Sequence, residues 1–233
     1  MSDQTYRNTY IFRKELLDSM KKILLIGDSI RMGYDKYVKD ALANVAEVAY
    51  PQTNCRFANF VLRYAHEWKK EVNFTDDVDL VHWNAGLWDV LELFGDEPIT
   101  PIDTYKEMIK RIDKRLRFLF PKAKFVFATC TCVCEEMSNP DFTRKNENIK
   151  KYNQYALEAL KDTDTIINDL YSLTETFPRE YHSDWVHFYT PKGTEIIGGR
   201  VLSVICKLLD VEPTEINIEN FEPERYLDSN IGY

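Results

Sequence analysis

The sequence predicts an α/β fold: a three-layer α/β/α sandwich around a mostly parallel, flavodoxin-like sheet of five strands. Three observations lead there. Short apolar runs closed by glycine or polar residues recur along the chain, helical patterns separate them, and no run approaches the length needed to cross a membrane. Strands alternating with helices pair in parallel through right-handed crossovers, and the helices then cover both faces of the sheet.

The first run, Ile23 to Ile26, is introduced by Lys21 and Lys22 and ends at Gly27, the form of a buried strand. Ala46 to Tyr50, Val78 to Trp83 and Phe125 to Thr129 repeat that form, and Thr165 to Ile167 supplies a shorter fifth strand. Helical patterns occupy Lys36 to Asn44, Ala58 to Lys70, Thr104 to Phe120 with Pro121 as its stop, and Asn146 to Lys161. A last helix runs from Pro191, a residue suited to a first turn, to Leu209. The folded domain is therefore expected over 1–209, with 1–20 as an N-terminal extension. Residues 210–233, acidic and polar with Pro213 and Pro223, form an irregular C-terminal extension that wraps the domain or reaches a partner.

At 233 residues one domain can bury a core of its own without disulfides or metal. Hydrophobic residues at 44% against 29% charged exclude a disordered chain. The net charge of −8 argues against a nucleic-acid partner, because phosphate-backbone binding relies on Lys and Arg displacing counterions. A neutral substrate fits better. Residues 1–13 lack the basic and apolar regions of a secretory signal, so a cytoplasmic location without membrane association is the expectation. Five cysteines without regular spacing agree with a reducing compartment.

Ligands of such sheets collect at the carboxyl ends of the strands, and Ser29, Asn54 and Gly86 each follow a predicted strand. In Gly27-Asp28-Ser29-Ile30 the serine can raise its hydroxyl above the sheet while its own N–H, at a helix start, faces a developing oxyanion. The other reading of an isolated serine here is a helix N-cap. The loop is neither a P-loop, which ends Gly-Lys-Ser/Thr, nor a Gly-x-Ser-x-Gly elbow, because Arg31 stands at the second glycine. Asp184-Trp185-Val186-His187, just ahead of the last helix, offers an imidazole to take the serine proton and a carboxylate to orient it.

Taken together, these blocks resemble the SGNH, or GDSL-type, hydrolase superfamily. Gly27-Asp28-Ser29-Ile30 is similar to its first block, with isoleucine where leucine is usual, and Asp184-Trp185-Val186-His187 to its last, followed by a helix carrying Gly193. The stretch Val78 to Asp89 resembles the third block, a strand followed by Gly-x-Asn-Asp. Order and spacing match from about Lys21 to Leu209. The resemblance implies a triad of Ser29, His187 and Asp184.

It also implies an oxyanion hole built from the Ser29 N–H, a block-two glycine N–H and a block-three asparagine, and here the chain departs from the pattern. Cys55, in Asn54-Cys55-Arg56, replaces the glycine and can still offer its N–H, while Trp88 stands where the asparagine belongs. An indole offers a single N–H in a different place. Asn84 is the favoured substitute, and Asn54 the other. Losing one such donor costs about 2.7–4 kcal/mol of transition-state stabilisation.

The implied chemistry is two-step acyl transfer on a small acyl ester, an acetyl on a saccharide being preferred. Asn54, Trp88 and Trp185 are the candidate substrate-binding residues, since aromatic faces suit amphipathic ligands. Neither cofactor nor metal is implied, and self-association into a homo-oligomer is left open. A lipase or thioesterase of the same superfamily, and a glycan-binding relative with weak catalysis, are the alternatives. Cys130, Cys132 and Cys134 alternate along or beyond the fourth strand and, if extended, share one face. They could begin a zinc site of a metal or redox protein, but burial as small apolar residues suits that spacing better. His82 and His66 read as packing residues, and His182 as peripheral to the triad.

Overall fold

The computed structural model of the protein describes residues 20–221, so the N-terminal extension up to residue 19 and the C-terminal extension from 222 lie outside the described residues. Five strands form one sheet: β1 (Lys21–Ile26), β2 (Ala46–Ala49), β3 (Leu80–Trp83), β5 (Lys124–Ala128) and β7 (Ile166–Asn168), in the order β2-β1-β3-β5-β7. Every pairing in it is parallel. Ile23 to Ile26 of β1 are fully buried, as a central strand covered on both faces requires. The helices that cover it are α1 (Ser29–Ala41), α2 (Ala58–Glu71), α3 (Ile102–Leu119), α4 (Asn146–Leu160), the short α5 (Leu170–Thr174) and α6 (Pro191–Leu209). α6 begins as its sequence predicts, with Pro191 in the first turn and the Thr190 side chain accepting the Gly193 N–H at 3.1 Å.

α1 starts at Ser29 rather than at Lys36, and the reason is a buried ion pair. Arg31 and Asp35, one turn apart and both fully buried, meet at 2.5 Å, so two charged side chains interrupt the apolar period of the buried face. The Arg31 guanidinium also donates to the Thr53 carbonyl at 2.7 Å, fastening the loop after β2 to the start of α1. Two further elements are too short to carry a period. β4 (Glu92–Leu93) and β6 (Phe142–Thr143) pair antiparallel, Leu93 opposite Phe142. This pairing joins the loop after β3 to the segment ahead of α4.

α2 has Phe57 at its N-cap, which offers no side-chain acceptor. Asp89, far along the chain, takes that part: its carboxyl accepts the Ala58 N–H at 3.0 Å. The group is fully buried, and burial pushes its carboxyl up to about 7. Below pH ~4 the carboxyl is protonated in both folded and unfolded chains. As pH climbs toward 7 the unfolded carboxyl ionises while the folded one holds its proton, so this group lowers stability by roughly 4 kcal/mol across that window, with no further loss above it. Asp89→Asn, which keeps an acceptor for Ala58, is expected to remove the slope. Urea unfolding of both proteins from pH 4 to 8 should show the difference between variant and wild type growing with pH; a constant difference would overturn the assignment.

α6 ends at Asp210 in a left-handed conformation, φ 55°. The described part of the C-terminal extension runs back along α1, with the Thr214 N–H donating to the Ala41 carbonyl at 2.7 Å and Phe221 edge-on to Tyr37 at 5.7 Å.

Candidate active site

Gly27 ends β1, and a side chain there would overlap the Asn84 side chain at the end of β3, so glycine permits the two strand ends to lie together. Asp28 follows as the N-cap of α1, its carboxyl accepting the Ile30 N–H at 3.0 Å. Ser29 is thus the first residue of the helix, where an N–H has no intrahelical acceptor. Its hydroxyl lies 2.8 Å from His187 Nε2, and His187 Nδ1 lies 2.6 Å from Asp184 Oδ2. Asp184 Oδ1 accepts the N–H groups of Val186 and His187 at 2.7 and 2.8 Å, which folds the four-residue loop into one rigid turn. A carboxylate only accepts, so Nδ1 carries the imidazole hydrogen and Nε2 is left to take the Ser29 proton. Burial opposes ionisation of Asp184, but the hydrogen bond and charge of His187 and the two N–H groups outweigh it and hold the carboxyl below its ordinary value.

No family model matches the chain, and no curated protein matches it by sequence. Solved structures do match. A lipase/acylhydrolase from Enterococcus faecalis has a TM-score of 0.62 at 22% identity, covering 84% of this chain and 100% of that one. An acetyl xylan esterase scores 0.61 at 16% identity, covering 79% and 99% of the two chains. A GDSL-like lipase from Bacteroides thetaiotaomicron scores 0.60 at 17% identity, covering 80% and 88%. The chain has the SGNH hydrolase fold.

Within this SGNH fold the departures noted in the sequence have physical consequences. The Cys55 N–H, expected at the oxyanion hole, donates instead to the Gly27 carbonyl at 3.1 Å and holds the second loop against the end of β1. Asn84 is 5% exposed and lies back against Gly27 and Asp28. Asn54, expected to meet substrate, is 4% exposed, and its side-chain oxygen accepts the Arg56 N–H at 2.9 Å, so it shapes the loop rather than facing solvent. Arg56 takes a left-handed backbone there, φ 48°, at a cost of roughly 1–2 kcal/mol for a non-glycine residue. Trp88 and Trp185 are half-buried and come from the two loops that flank the triad. Burial pushes the Asp28 carboxyl up, opposed by Asn84, the Ile30 N–H, Arg144 and His187.

Two residues beside this candidate site carry no motif in the sequence. Tyr189 stacks on His187 at 4.6 Å and 20°, and its hydroxyl donates to the Ser29 carbonyl at 2.6 Å, so one side chain braces both His187 and Ser29. Gly33, one turn beyond Ser29 on α1, makes room for that ring, since a Cβ there would stand 2.8 Å from it. An aromatic residue two positions after the histidine and a glycine inside the first helix were the available signals. The other is Arg144, which follows β6 and is 3% exposed.

The remaining candidates are structural. His82 is buried, its Nε2 facing the Asn168 amide at 3.2 Å, while Arg200 donates to Asn168 Oδ1 at 3.0 Å. Asn168 therefore donates to Nε2, and the His82 hydrogen sits on Nδ1, toward the Tyr34 hydroxyl. Burial lowers the His82 pKa to about 4, which keeps the ring neutral in the core. His66 differs from the packing expected of it: it is partly exposed on α2, against Glu67. His182 packs on Phe188 at 4.4 Å. The fourth strand of the sheet ends at Ala128, so the three cysteines lie on the irregular loop after it rather than along one strand face. Cys130 and Cys132 are buried, and the Cys134 N–H donates to the Trp185 carbonyl at 2.8 Å, anchoring the triad loop. Among the described residues, no group of three or more His, Cys, Asp or Glu could hold a metal ion, and no helix is long and apolar enough to cross a membrane.

Proposed function

We propose that the protein is a serine esterase that removes a small acyl group, acetyl above all, from a carbohydrate. The hydrogen-bonded chain from Ser29 through His187 to Asp184, with links of 2.8 and 2.6 Å, carries this reading. Ser29 Oγ attacks the ester carbonyl carbon as its proton passes to His187 Nε2. His187 returns that proton to the leaving alcohol, leaving an acyl-serine. Water, deprotonated by the same imidazole, then attacks the acyl carbon, releasing the acid and restoring Ser29. Asp184 orients the ring and stabilises its charged form. The similar acetyl xylan esterase and the half-buried Trp88 and Trp185, whose faces suit sugar rings, support the acetylated-saccharide substrate.

The test compares wild type with Ser29→Ala. A fluorophosphonate probe is expected to label the first and not the second, and 4-nitrophenyl acetate turnover to vanish with the label. Equal labelling or equal turnover in the two would sink the assignment of Ser29. A panel of acetylated saccharides set against longer acyl esters tests the substrate, preference for long acyl chains being the result that overturns it.

A further inference from the structure

The ester-cleaving step described above needs a positive partner for the carbonyl oxygen, and the donors expected to provide it are short in number. The Cys55 N–H is committed to Gly27, Trp88 occupies the asparagine position, and Asn84 lies back on Gly27 and Asp28. Arg144 lies against the loop that carries Leu87 and Trp88. The β4–β6 pairing brings it there: it follows Thr143, which lies opposite Glu92 just past the Trp88 loop. Its Nε donates to the Leu87 carbonyl, and its guanidinium carbon lies 5.9 Å from the Trp88 ring, 5.7 Å from Phe142 and 5.2 Å from Trp185. Leu87 and Trp88 belong to the loop after β3, and Trp185 sits between Asp184 and His187, so the cation lies where the two loops of the site meet.

We propose that Arg144 supplies the positive charge that stabilises the oxyanion formed when Ser29 attacks. The inference rests on Ser29 being the nucleophile. In that step the Oγ–C bond forms, the carbonyl π pair moves onto oxygen, and the serine proton passes to His187, so one negative charge develops where the neutral ester had none. A guanidinium stays protonated at any working pH. Aromatic rings attract such a cation without neutralising it, and a donor held beforehand in a water-poor site needs no reorganisation when the charge appears. The Leu87 carbonyl and the three rings provide that fixation. The charge is felt on the floor of the site, where Arg144 favours the ionised form of Asp28, the neighbour of Ser29, alongside His187.

The experiment measures kcat and KM of the full chain for 4-nitrophenyl acetate and for a 4-nitrophenyl ester carrying a carboxylate, with Ser29→Ala as the control. Arg144→Gln is expected to lower kcat roughly 100-fold on both esters while KM changes by less than about twofold. Arg144→Lys should restore part of the rate, and methylguanidinium should raise the turnover of Arg144→Ala, a rescue that a purely structural arginine would not show. Wild-type kcat in a folded Arg144→Gln protein overturns the proposal, and so does a loss confined to KM on the carboxylate ester, which would make Arg144 a substrate-anion contact. Should the glutamine variant not fold, Arg144→Ala with methylguanidinium decides, no rise in its turnover overturning the proposal. Turnover that survives Ser29→Ala overturns the nucleophile and this proposal together, whereas Ser29-dependent turnover indifferent to Arg144 overturns this proposal alone.

Discussion

Ser29→Ala, His187→Ala and the double variant are each expected to lower kcat by the same factor, on the order of 10⁶. The 2.8 Å contact between Ser29 Oγ and His187 Nε2 would make the proposed nucleophile and base a single device. A hydroxyl with no base beside it is a poor nucleophile, and an imidazole with no hydroxyl to activate has no role in attack, so removal of either leaves nothing for the other to contribute. The residual rate then reflects only substrate binding and oxyanion stabilisation. Single-turnover hydrolysis of 4-nitrophenyl acetate by the three variants checks this. Losses that multiply in the double variant would mean the two residues act separately, and the triad assignment would fall.

Asp184→Asn is expected to cost about 10⁴ in kcat while leaving the fold intact. The reason lies in how the carboxyl is used. Oδ1 accepts two backbone N–H groups, from Val186 and His187, and Oδ2 accepts from His187 Nδ1. An asparagine keeps its oxygen on the two N–H groups, which turns its NH₂ toward Nδ1. That amide only donates, so Nδ1 must accept, the imidazole hydrogen moves to Nε2, and Nε2 can no longer take the serine proton. Because the wild-type carboxyl is held below its ordinary value, its support for the imidazolium persists as pH falls to that range and is lost only beneath it. The pH–rate profiles of both proteins, with thermal melting to verify the fold, provide the check. A variant within about tenfold of wild type would remove Asp184 from the mechanism.

The large elements were legible because their apolar residues are set by local periodicity. The runs ending at Ile26 and Trp83 are buried strands, and Pro191 opens the last helix where expected. What misled was polarity placed inward. Arg31 and Asp35 break the helical pattern at the start of α1, although they are fully buried as a pair. The two-residue strands β4 and β6 carry no period at all, and their partner lies some fifty positions away in the chain.

Ser29, Asp184 and His187 could be chosen from sequence since each sits in a short block whose chemistry is local: a helix start after a strand, and a carboxylate three residues from an imidazole. Whether a backbone N–H is open to a ligand depends on what else approaches it, and that is a property of packing. Cys55 is turned to Gly27, Asn54 to Arg56, and Tyr189 and Arg144 reach the site through contacts spanning 160 and 57 positions. The sequence by itself determined the fold class and the reacting triad of the proposal, because strand ends and adjacent residues define them. Tertiary structure alone decided which donors remain for the oxyanion, since a hydrogen-bonding group has few bonds to make and only the folded neighbours settle where they go.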